Sequence, residues 1–203
     1  MNQLQFKELC KDRSRIVLDL GCGNIKKPGM IGIDIVNTSA TDIVADIEKG
    51  LPFVPDQSVD EIYSSHFMEH LEDINPLLAD VHRILKPDGF YEFTVPHFSN
   101  PYFYSDPTHK RFFGLYTMEY YTPDRLQVLK RKVPDFYTDF KFRTVFRYLK
   151  FYHPNNKIIS GIKKRLLSSY FNSNIRRQEL YEGLFTNIFS AMEITYRIQV
   201  VKP

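Results

Sequence analysis

The sequence contains no tryptophan, only two cysteines and no long apolar run. Cys10 and Cys22 are too few for the disulfide framework of a small extracellular domain. A transmembrane helix needs about 18 consecutive apolar residues, and no such stretch occurs. The first 15 residues also lack the apolar core of a signal peptide. We therefore expect a cytoplasmic globular protein.

Aromatic residues and charges, by contrast, are plentiful and unevenly distributed. The 203 residues include 13 Tyr and 17 Phe, many of them between positions 98 and 151. With 43% apolar and 25% charged residues, the composition is typical of a soluble chain with a sizeable core, and we predict a single domain over residues 1–203. Residues 34–92 carry 13 acids and three Lys/Arg, whereas residues 138–177 carry ten Lys/Arg and one acid. This asymmetry indicates either an anionic partner for the basic part or a solvated basic face.

The segment from Ile16 to Asp34 has the pattern of a nucleotide-binding strand–turn–strand unit. Its apolar run up to Leu20 predicts a strand buried on both faces. Gly21 and Gly23 permit a tight turn against which a ligand can lie. A second short strand ends at Asp34, where an acid hydrogen-bonds a ribose diol in nucleotide-binding α/β folds. The sequence therefore predicts an adenosine-type ligand at the carboxyl ends of parallel strands.

The rest of the chain alternates predicted strands and helices, which favours a parallel sheet with helices on its faces. The predicted helix after Asn75 begins with Pro76, has one apolar face and ends at the turn 86–89. A leading helix is predicted within residues 1–15. Further predictions are strands at 42–46, 59–63, 90–95, 140–151 and 191–201, short helices at 67–71 and from 122, and a basic helical segment at 155–182.

Five segments follow one another in the first half of the chain: VLDLGCG (17–23), IGID (31–34), VAD (44–46), LPFVPDQSVDEIYSSHFMEHLED (51–73) and RILKPDGFYEFTVP (83–96). Together they resemble the class I S-adenosylmethionine-dependent methyltransferases, especially the branch with ubiquinone-biosynthesis-type enzymes (methyltransferase type 11). The resemblance implies an α/β fold with a Rossmann-like, doubly wound, mostly parallel sheet and a late antiparallel strand. It also implies methyl transfer from S-adenosyl-L-methionine, leaving S-adenosyl-L-homocysteine, to O or N of a small-molecule or sugar-like acceptor.

The same resemblance implies which residues contact the cofactor. These residues are Asp19, Gly21, Cys22, Gly23, Asp34, Asp46, Ile47, Ser65 and His66. The carboxylates of Asp19, Asp34 and Asp46 would meet the methionine amine, the ribose diol and the adenine amino group. Ile47 would pack on the adenine ring, and the loop 21–23 would lie under the ligand. Ser65 and His66 would face the methionine end and the methyl group. Alternatively, Asp19 caps a turn and Asp46 caps a helix.

The chain departs from this family in the connection between its first two predicted strands. Only nine residues, 21–29, separate them, and two of these are Pro28 and Gly29. A parallel crossover that contains a helix needs about a dozen residues or more. We therefore predict that the first crossover helix is shortened or absent, and that residues 3–12 cover the vacated position beside the sheet.

Residues 97–121 form an aromatic loop after the strand predicted at 90–95, and we predict that this loop faces the acceptor. A base assists when the acceptor is a hydroxyl, and histidine is best suited to that role at neutral pH. His109 is the first candidate for the catalytic base, His97 is the second, and Asp106 is positioned to orient His109. The alternative is that residues 106–109 are a capped turn and that the aromatic side chains cover a core.

The run His66-Phe67-Met68-Glu69-His70 also fits the inverted zinc-protease pattern H-x-x-E-H. In that interpretation two histidines bind zinc and the glutamate is the base. It requires His66 to lie in a helix, although this residue directly follows a predicted strand, and it requires a third ligand for which no motif is present. We therefore disfavour a zinc hydrolase and predict no metal site.

Residues 153–187 are predicted to be a basic insertion, in which apolar residues alternate with Lys and Arg over 157–177. Such a segment suits an anionic membrane surface, RNA phosphates or a homodimer contact. The favoured interpretation is that its apolar residues pack on the domain and leave a solvated basic face. Two alternative functions remain: a methyltransferase acting on RNA or a lipid, and a catalytically silent cofactor-binding partner subunit.

Overall fold

Seven strands form one mixed sheet in the computed structural model, which describes residues 1–152 and 155–202. They are β1 (Val17–Leu20), β2 (Ile31–Asp34), β3 (Ile43–Val44), β4 (Val59–Ser65), β5 (Leu85–Pro96), β6 (Lys141–Lys150) and β7 (Glu193–Val201). Their order in the sheet is β3-β2-β1-β4-β5-β7-β6. Strands β1 to β5 run parallel, and β7 runs antiparallel to both β5 and β6. The predicted fold class, a Rossmann-like, doubly wound, mostly parallel α/β sheet with a late antiparallel strand, is confirmed.

The helices lie before β1, between β4 and β5, and between β6 and β7. They are α1 (Gln3–Cys10), α2 (Asn75–Ile84), α3 (Lys157–Lys163), α4 (Ser169–Phe171) and α5 (Ile175–Leu184), with a π-helical turn (Lys164–Ser168) joining α3 to α4. The predicted apolar face of α2 is confirmed, because Leu77, Leu78, Val81 and Ile84 are all fully buried. Each such burial stabilises the fold by roughly 1.5–3 kcal/mol. In the described part of the chain, no helix is long and apolar enough to cross a membrane.

Buried and partly exposed side chains alternate along β5, and this alternation distinguishes a core face of the sheet from an open face. Tyr91 and Phe93 are fully buried, whereas Glu92 between them is partly exposed. Residues directly opposite each other on neighbouring strands share a face. Glu92 pairs with Tyr63 of β4 and with Arg197 of β7, and both are also partly exposed. This second face, here called the open face, therefore carries polar and aromatic side chains.

The open face results from the short first crossover. Right-handed crossovers on either side of β1 place their helices on opposite faces of the sheet. The crossover from β4 to β5 contributes α2 to the core, but residues 21–30 between β1 and β2 form only turns. The predicted loss of this helix is confirmed. The prediction that residues 3–12 cover the vacated position is wrong, because Phe6 and Cys10 of α1 are buried in the same core cluster as the apolar face of α2.

Two short helices predicted from the sequence are not formed. Residues 67–71 contain only the 3₁₀ turn Met68–His70, and the segment from residue 122 contains only the 3₁₀ turn Asp124–Leu126. In the second case the buried side-chain amide of Gln127 donates to three nearby backbone carbonyl oxygens at 2.9–3.3 Å. These tertiary hydrogen bonds stabilise a loop in a segment whose local sequence pattern favours a helix.

The turn predicted at 86–89 is a bulge within β5. Val59 pairs with Leu85, and the register then shifts so that Glu61 pairs with Phe90. The basic segment is helical as predicted, over 157–171 and 175–184, and Gly161 lies within α3 instead of interrupting it. Residues 153 and 154 of the predicted insertion 153–187 lie outside the described residues.

Candidate functional site

A cavity of about 800 Å³ lies over the open face, at the carboxyl ends of β1, β4 and β5. One wall comes from these strand ends and the first crossover, and the other wall comes from β6 and β7. The first wall includes the predicted cofactor residues Asp19, Gly21, Cys22 and Ser65. The second wall consists of Phe146, Tyr148, Lys150 and Thr195. The fold thus brings four predicted residues together with a wall that sequence analysis did not identify.

The glycine turn after β1 leaves open space on one side. Gly21 and Gly23 have φ values of +66° and +55°, which favour glycine. A Cβ on Gly21 would lie 2.5 Å from Cδ2 of Phe67, so this glycine allows close packing on that ring. A Cβ on Gly23 would meet no atom of the described residues within 4 Å. The turn therefore has the open space that its predicted place under the ligand requires.

Asp34 ends β2, and its carboxylate holds the glycine turn. Its Oδ2 accepts a hydrogen bond from the Gly23 N–H at 2.8 Å, and its Oδ1 accepts one from the Val36 N–H at 2.9 Å. Each carboxylate oxygen has a second lone pair, so the group can still accept hydrogen bonds from a ribose diol. The structure confirms that Asp34 lies beside the turn, and its contact with a ribose stays a prediction.

Asp19 and Cys22 are both partly shielded groups in the cavity wall. Burial raises the pKa of Asp19, while a hydrogen bond from the Lys27 N–H and the charges of Lys27 and Lys26 act in the opposite direction. Asp19 thus lies against the crossover turn, and the choice between a turn cap and a ligand contact stays open. Burial likewise raises the pKa of the Cys22 thiol, so this side chain is a neutral wall group at pH 7.

Asp46 and Ile47 lie outside the lining of the cavity. Asp46 precedes a 3₁₀ turn (Ile47–Lys49) and forms an ion pair with Lys49 at 2.9 Å, which lowers the pKa of Asp46. Asp46 occupies the N-cap position of this turn, as the alternative of a helix cap requires. Ile47 is 3% exposed and belongs to the core cluster. Contact of either residue with an adenine stays a prediction, and Ile47 offers little surface for it.

His66 occupies a left-handed backbone conformation immediately after β4, next to Ser65. Its φ is +53°, which is uncommon for a residue with a Cβ. Its Nε2 lies 3.3 Å from Oε1 of Glu193, and its Nδ1 lies 3.2 Å from Oε1 of Glu69. These two hydrogen bonds raise the pKa of His66 to about 9. Its predicted contact with the methyl end of the cofactor stays a prediction.

Glu193, the first residue of β7, is the centre of a polar cluster at the rim of the cavity. Its Oε2 accepts a hydrogen bond from Lys150 Nζ at 2.9 Å, and its Oε1 accepts one from the Tyr152 hydroxyl at 2.7 Å. Burial acts to raise the pKa of Glu193, but hydrogen bonds from His66, Lys150 and Tyr152 outweigh it and lower this pKa to about 2. Sequence analysis missed this cluster, because only the β6–β7 pairing brings Lys150 beside Glu193.

His97 is buried in the protein interior and does not line the cavity. Its Nδ1 lies 2.8 Å from Ser99 Oγ, and its Nε2 lies 3.2 Å from Glu182 Oε1. The side chain is 0% exposed, with its ring packed near those of Phe98 and Tyr181. Both ring nitrogens therefore have protein partners, and the structure does not bring His97 to an acceptor position.

His109 and Asp106 face each other in the aromatic loop, as predicted. His109 Nε2 lies 3.6 Å from Asp106 Oδ2, and its Nδ1 lies 3.0 Å from the carbonyl oxygen of Phe103. Asp106 Oδ1 also accepts hydrogen bonds from the N–H and the hydroxyl of Thr108, at 2.9 and 2.6 Å. The alternative of a capped turn is therefore confirmed. Neither His109 nor Asp106 lines the cavity, and their catalytic role stays a prediction.

The inverted zinc-protease pattern is not assembled. Met68–His70 is a single 3₁₀ turn that does not include His66, so the two histidines do not share a helix. The Nε2 atom of His66 faces Glu193 instead of a site shared with His70. Glu69 is fully buried and does not face an open substrate position.

Residues 18–93 match the family model described as a methyltransferase domain. None of the curated proteins matches this chain. A SAM-dependent methyltransferase from Archaeoglobus fulgidus is 19% identical with a TM-score of 0.52, and the alignment covers 98% of this chain and 94% of that chain. The YcgJ protein from Bacillus subtilis is 15% identical with a TM-score of 0.53, covering 99% and 98%. A chain from the Haloferax volcanii complex of the Trm112 methyltransferase activator with the putative methyltransferase is 14% identical with a TM-score of 0.53, covering 97% and 89%.

At these identities the structural likeness shows the fold, and the family model assigns residues 18–93 to a methyltransferase domain. The matched segment contains β1, the glycine turn, Asp34 and the end of β4. The same segment carries all nine residues that the sequence predicts to contact the cofactor. Residues 18–93 are therefore a methyltransferase domain, and the chain has the fold of the S-adenosylmethionine-dependent methyltransferases to which it is similar.

Proposed function

We propose that this protein transfers a methyl group from S-adenosyl-L-methionine to O or N of a small-molecule or sugar-like acceptor bound in the open-face cavity. One observation carries the proposal: a single cavity joins the predicted cofactor wall to the wall of β6 and β7. Asp19 and Gly21 lie on the first wall, and Tyr148 and Lys150 lie on the second. A small acceptor held by the second wall would therefore lie next to the methyl donor.

The residues of the first wall, together with Gly23 and Asp34 in the adjoining glycine turn and strand end, fit the chemistry of the cofactor. Gly23 leaves room beside the backbone, and Asp34 keeps lone pairs for a diol. The Asp19 carboxylate suits an ammonium group, and Lys27, which lines the same cavity, suits a carboxylate. When bound, the cofactor supplies a methyl group activated by a positively charged sulfur.

The second wall suits an acceptor with a flat ring or sugar and an anionic group. Phe146 and Tyr148 stack with their ring centroids 6.0 Å apart and form an apolar surface. Lys150 follows on the same strand and points an ammonium group at the cavity rim, where Glu193 holds it. Aromatic faces with one positive group bind such molecules by stacking and by charge.

The cluster around Glu193 is suited to positioning and not to proton removal. Its carboxylate accepts hydrogen bonds from Lys150, Tyr152 and His66, and its pKa of about 2 makes it a weak base. We therefore expect the enzyme to align the acceptor atom with the methyl group and to exclude water. An acceptor nitrogen with a free lone pair needs no more than this.

The test combines cofactor binding with methyl transfer. We expect calorimetry to detect S-adenosyl-L-homocysteine binding, and a radiometric assay with a panel of small amines, hydroxy acids and sugar phosphates to find an acceptor. The Lys150→Met variant should keep its affinity for S-adenosyl-L-homocysteine and lose about 10-fold or more in turnover, whereas Lys7→Met on the exposed side of α1 should change neither. Transfer only to RNA or to membrane lipid would contradict the proposal.

The same assay decides the role of His109. If this residue is the general base, His109→Ala should reduce turnover about 100-fold while leaving the affinity for S-adenosyl-L-homocysteine almost unchanged. Unchanged turnover with the acceptor would remove His109 from the mechanism.

A second candidate, in which the acceptor is presented by an anionic membrane, is favoured by the outer surface of α3 and of the π-helical turn that follows it. Ile158, Ile162 and Leu166 recur every four residues and are 77%, 55% and 61% exposed, so they do not pack on the domain as favoured from the sequence. The described residues 155–178 contain Lys157, Lys163, Lys164, Arg165, Arg176 and Arg177 and no acid. An exposed apolar stripe flanked by basic residues is typical of a helix that lies on an anionic lipid surface.

Vesicle sedimentation tests this second candidate. The wild type should bind phosphatidylcholine vesicles that contain phosphatidylglycerol and not pure phosphatidylcholine vesicles. The double change Ile158→Ser with Ile162→Ser should abolish binding, whereas Ile188→Ser, at another exposed position, should not. Binding to RNA but to neither vesicle would reject the membrane and favour nucleic acid.

A further inference from the structure

Three potential metal ligands from two segments of the chain meet just beyond β4. Glu69 and His70 lie in the turn after this strand, and His109 lies in the aromatic loop. One ligand atom from each residue, a carboxylate oxygen or an imidazole nitrogen, lies within 4.8 Å of the other two. The backbone N–H groups of Lys110 and Arg111 both donate to the carbonyl oxygen of Glu69, at 2.7 and 3.1 Å. The main chain therefore holds the two segments together.

The hydrogen bonds of both imidazoles leave Nε2 as the nitrogen that can bind a metal. His109 Nδ1 lies 3.0 Å from the carbonyl oxygen of Phe103, which can only accept, so Nδ1 carries the proton. His70 Nδ1 lies 2.9 Å from Thr108 Oγ1, whose own proton is donated to Asp106. His70 Nδ1 must therefore carry its proton as well. Bonds of this kind, on the nitrogen that does not bind the metal, orient metal-binding histidines.

The third ligand is a buried carboxylate with one unpartnered oxygen. Glu69 is 0% exposed, and its Oε1 faces His66 Nδ1 at 3.2 Å. Its Oε2 is buried and has no hydrogen-bond partner among the residues that the structure describes. Burying a polar atom without a partner costs about 1–3 kcal/mol, and more for a charged group. A cation beside Oε2 would remove this cost.

His66 Nδ1 faces Glu69 Oε1 and, with its raised pKa, places a positive charge there, so Oε2 is the carboxylate oxygen left for a cation. The two basic residues of the loop have other partners: Lys110 Nζ lies 2.7 Å from Glu72 Oε1, and Arg111 Nε donates to the carbonyl oxygen of Leu71 at 3.4 Å. The carboxylate of Asp106 adds negative charge, with its Oδ2 at 3.6 Å from His109 Nε2.

We propose that Glu69, His70 and His109 bind one divalent transition-metal ion, for which Zn²⁺ is the best match. Two imidazole nitrogens and one carboxylate oxygen are a donor set that Zn²⁺ accepts in sites with three protein ligands, where a fourth position stays open to water or substrate. The site differs from the inverted zinc-protease pattern, because Glu69 is a ligand and His66 is not. The ion ties the aromatic loop to the turn that follows β4.

The test is a calorimetric titration of the full chain with ZnCl₂, after EDTA treatment and removal of the chelator. The wild type should bind one equivalent. The variants Glu69→Gln, His70→Ala and His109→Ala should each bind at least about 100-fold more weakly. His82→Ala is the matched control and should bind as the wild type does, because the ring of His82 faces the Val201 carbonyl oxygen and Phe142 outside this cluster.

Thermal unfolding provides a second readout. Zn²⁺ should raise the Tm of the wild type and of His82→Ala, and it should leave the Tm of the three ligand variants unchanged; only variants whose metal-free transition matches that of the wild type are compared. The Asp106→Asn variant distinguishes a metal site from a simple ion pair between His109 and Asp106. If Glu69, His70 and His109 bind the metal, this variant should still bind one equivalent of Zn²⁺. The proposal is overturned if the wild type binds no stoichiometric Zn²⁺, or if the three ligand variants keep wild-type affinity. Titration with S-adenosyl-L-homocysteine tests the cofactor site independently of either result.

Discussion

At the residue scale, two glycines of the turn after β1 have opposite surroundings. Both have positive φ values, but Gly21 backs onto the Phe67 ring, whereas Gly23 borders open space among the described residues. Gly23 also donates its N–H to Asp34, so one carboxylate holds the backbone in the conformation that keeps this space open. Gly21 therefore has a packing role against Phe67, and contact of either glycine with a ligand stays a prediction.

We expect Gly21→Ala and Gly23→Ala to have different effects. An L-residue in the left-handed region costs about 1–2 kcal/mol, and the clash with Phe67 adds about 1–3 kcal/mol at Gly21 only. Urea unfolding should therefore show the larger loss of stability for Gly21→Ala. Calorimetry should show weaker S-adenosyl-L-homocysteine binding by Gly23→Ala. Unchanged affinity in Gly23→Ala would mean that the ligand does not approach this glycine.

We also expect Glu193 to contribute stability that depends on pH. Its pKa falls from an ordinary 4.5 to about 2 in the folded protein, so its contribution is present above about pH 4.5 and is lost as the pH falls toward 2. Urea unfolding at pH 7 should show Glu193→Gln to be less stable than the wild type, and the difference should shrink at pH 3. A difference that stays constant between these pH values would contradict the lowered pKa.

At the scale of elements, the short crossover between β1 and β2 changes how the cofactor can be held. A helix at this position would direct its N-terminus, equivalent to about half a positive charge, toward an anionic group of the ligand. The turn instead contributes Lys26 and Lys27 to the cavity wall. Lys26 forms an ion pair with Asp42, whereas Lys27 Nζ lies 4.5 Å from the centre of the Tyr63 ring. Lys27 is therefore the better placed of the two to bind the methionine carboxylate.

We expect Lys27→Met to weaken S-adenosyl-L-homocysteine binding about 10-fold, equivalent to about 1.4 kcal/mol. Binding of 5′-methylthioadenosine, which has the adenosine part but no amino-acid group, should not change. Calorimetry with both ligands measures the two affinities, and Lys7→Met is the control. An equal loss for both ligands would assign Lys27 a general role in the cavity instead of a contact with the carboxylate.

At the scale of the whole molecule, a buried ion pair attaches the second half of the chain to the sheet. Glu119 lies in a 3₁₀ turn (Thr117–Tyr121) and contacts Arg147 of β6, and both side chains are almost fully buried. Burial lowers the pKa of Arg147. Among the described residues, Oε2 of Glu119 and Nε of Arg147 are buried and have no hydrogen-bond partner. Each charge is therefore stabilised by the other.

We expect Glu119→Ala to destabilise the protein by about 3–5 kcal/mol, because it leaves a buried guanidinium without its partner. The double change Glu119→Leu with Arg147→Met should be much less destabilising, since it removes both charges and keeps the volume. Urea unfolding of the three proteins measures these differences. A double variant as unstable as Glu119→Ala would show that packing, and not the unpaired charge, dominates.

The positions of the early strands along the chain were predictable because each of these strands is marked by a local signal. Apolar runs, the glycines at 21 and 23, and acids at strand ends lie within a few residues of one another, and the number of residues between two strands limits what can connect them. The absence of a helix at 21–29 followed from that length alone. The loop around Gln127 was not predictable, because its hydrogen bonds join residues that carry no common motif.

The sequence by itself indicated the α/β sheet with its missing crossover helix and the presence of Asp19, Gly21, Cys22 and Ser65 at one edge, since each early strand carries a local motif and parallel strands bring their carboxyl ends to the same edge. The tertiary structure alone decided the wall from β6 and β7, the cluster around Glu193 and the burial of His97. These depend on antiparallel pairing between strands more than 40 residues apart, such as Lys150 with Glu193, and on which face of the sheet remains open. Only the folded chain brings such distant side chains to one cavity.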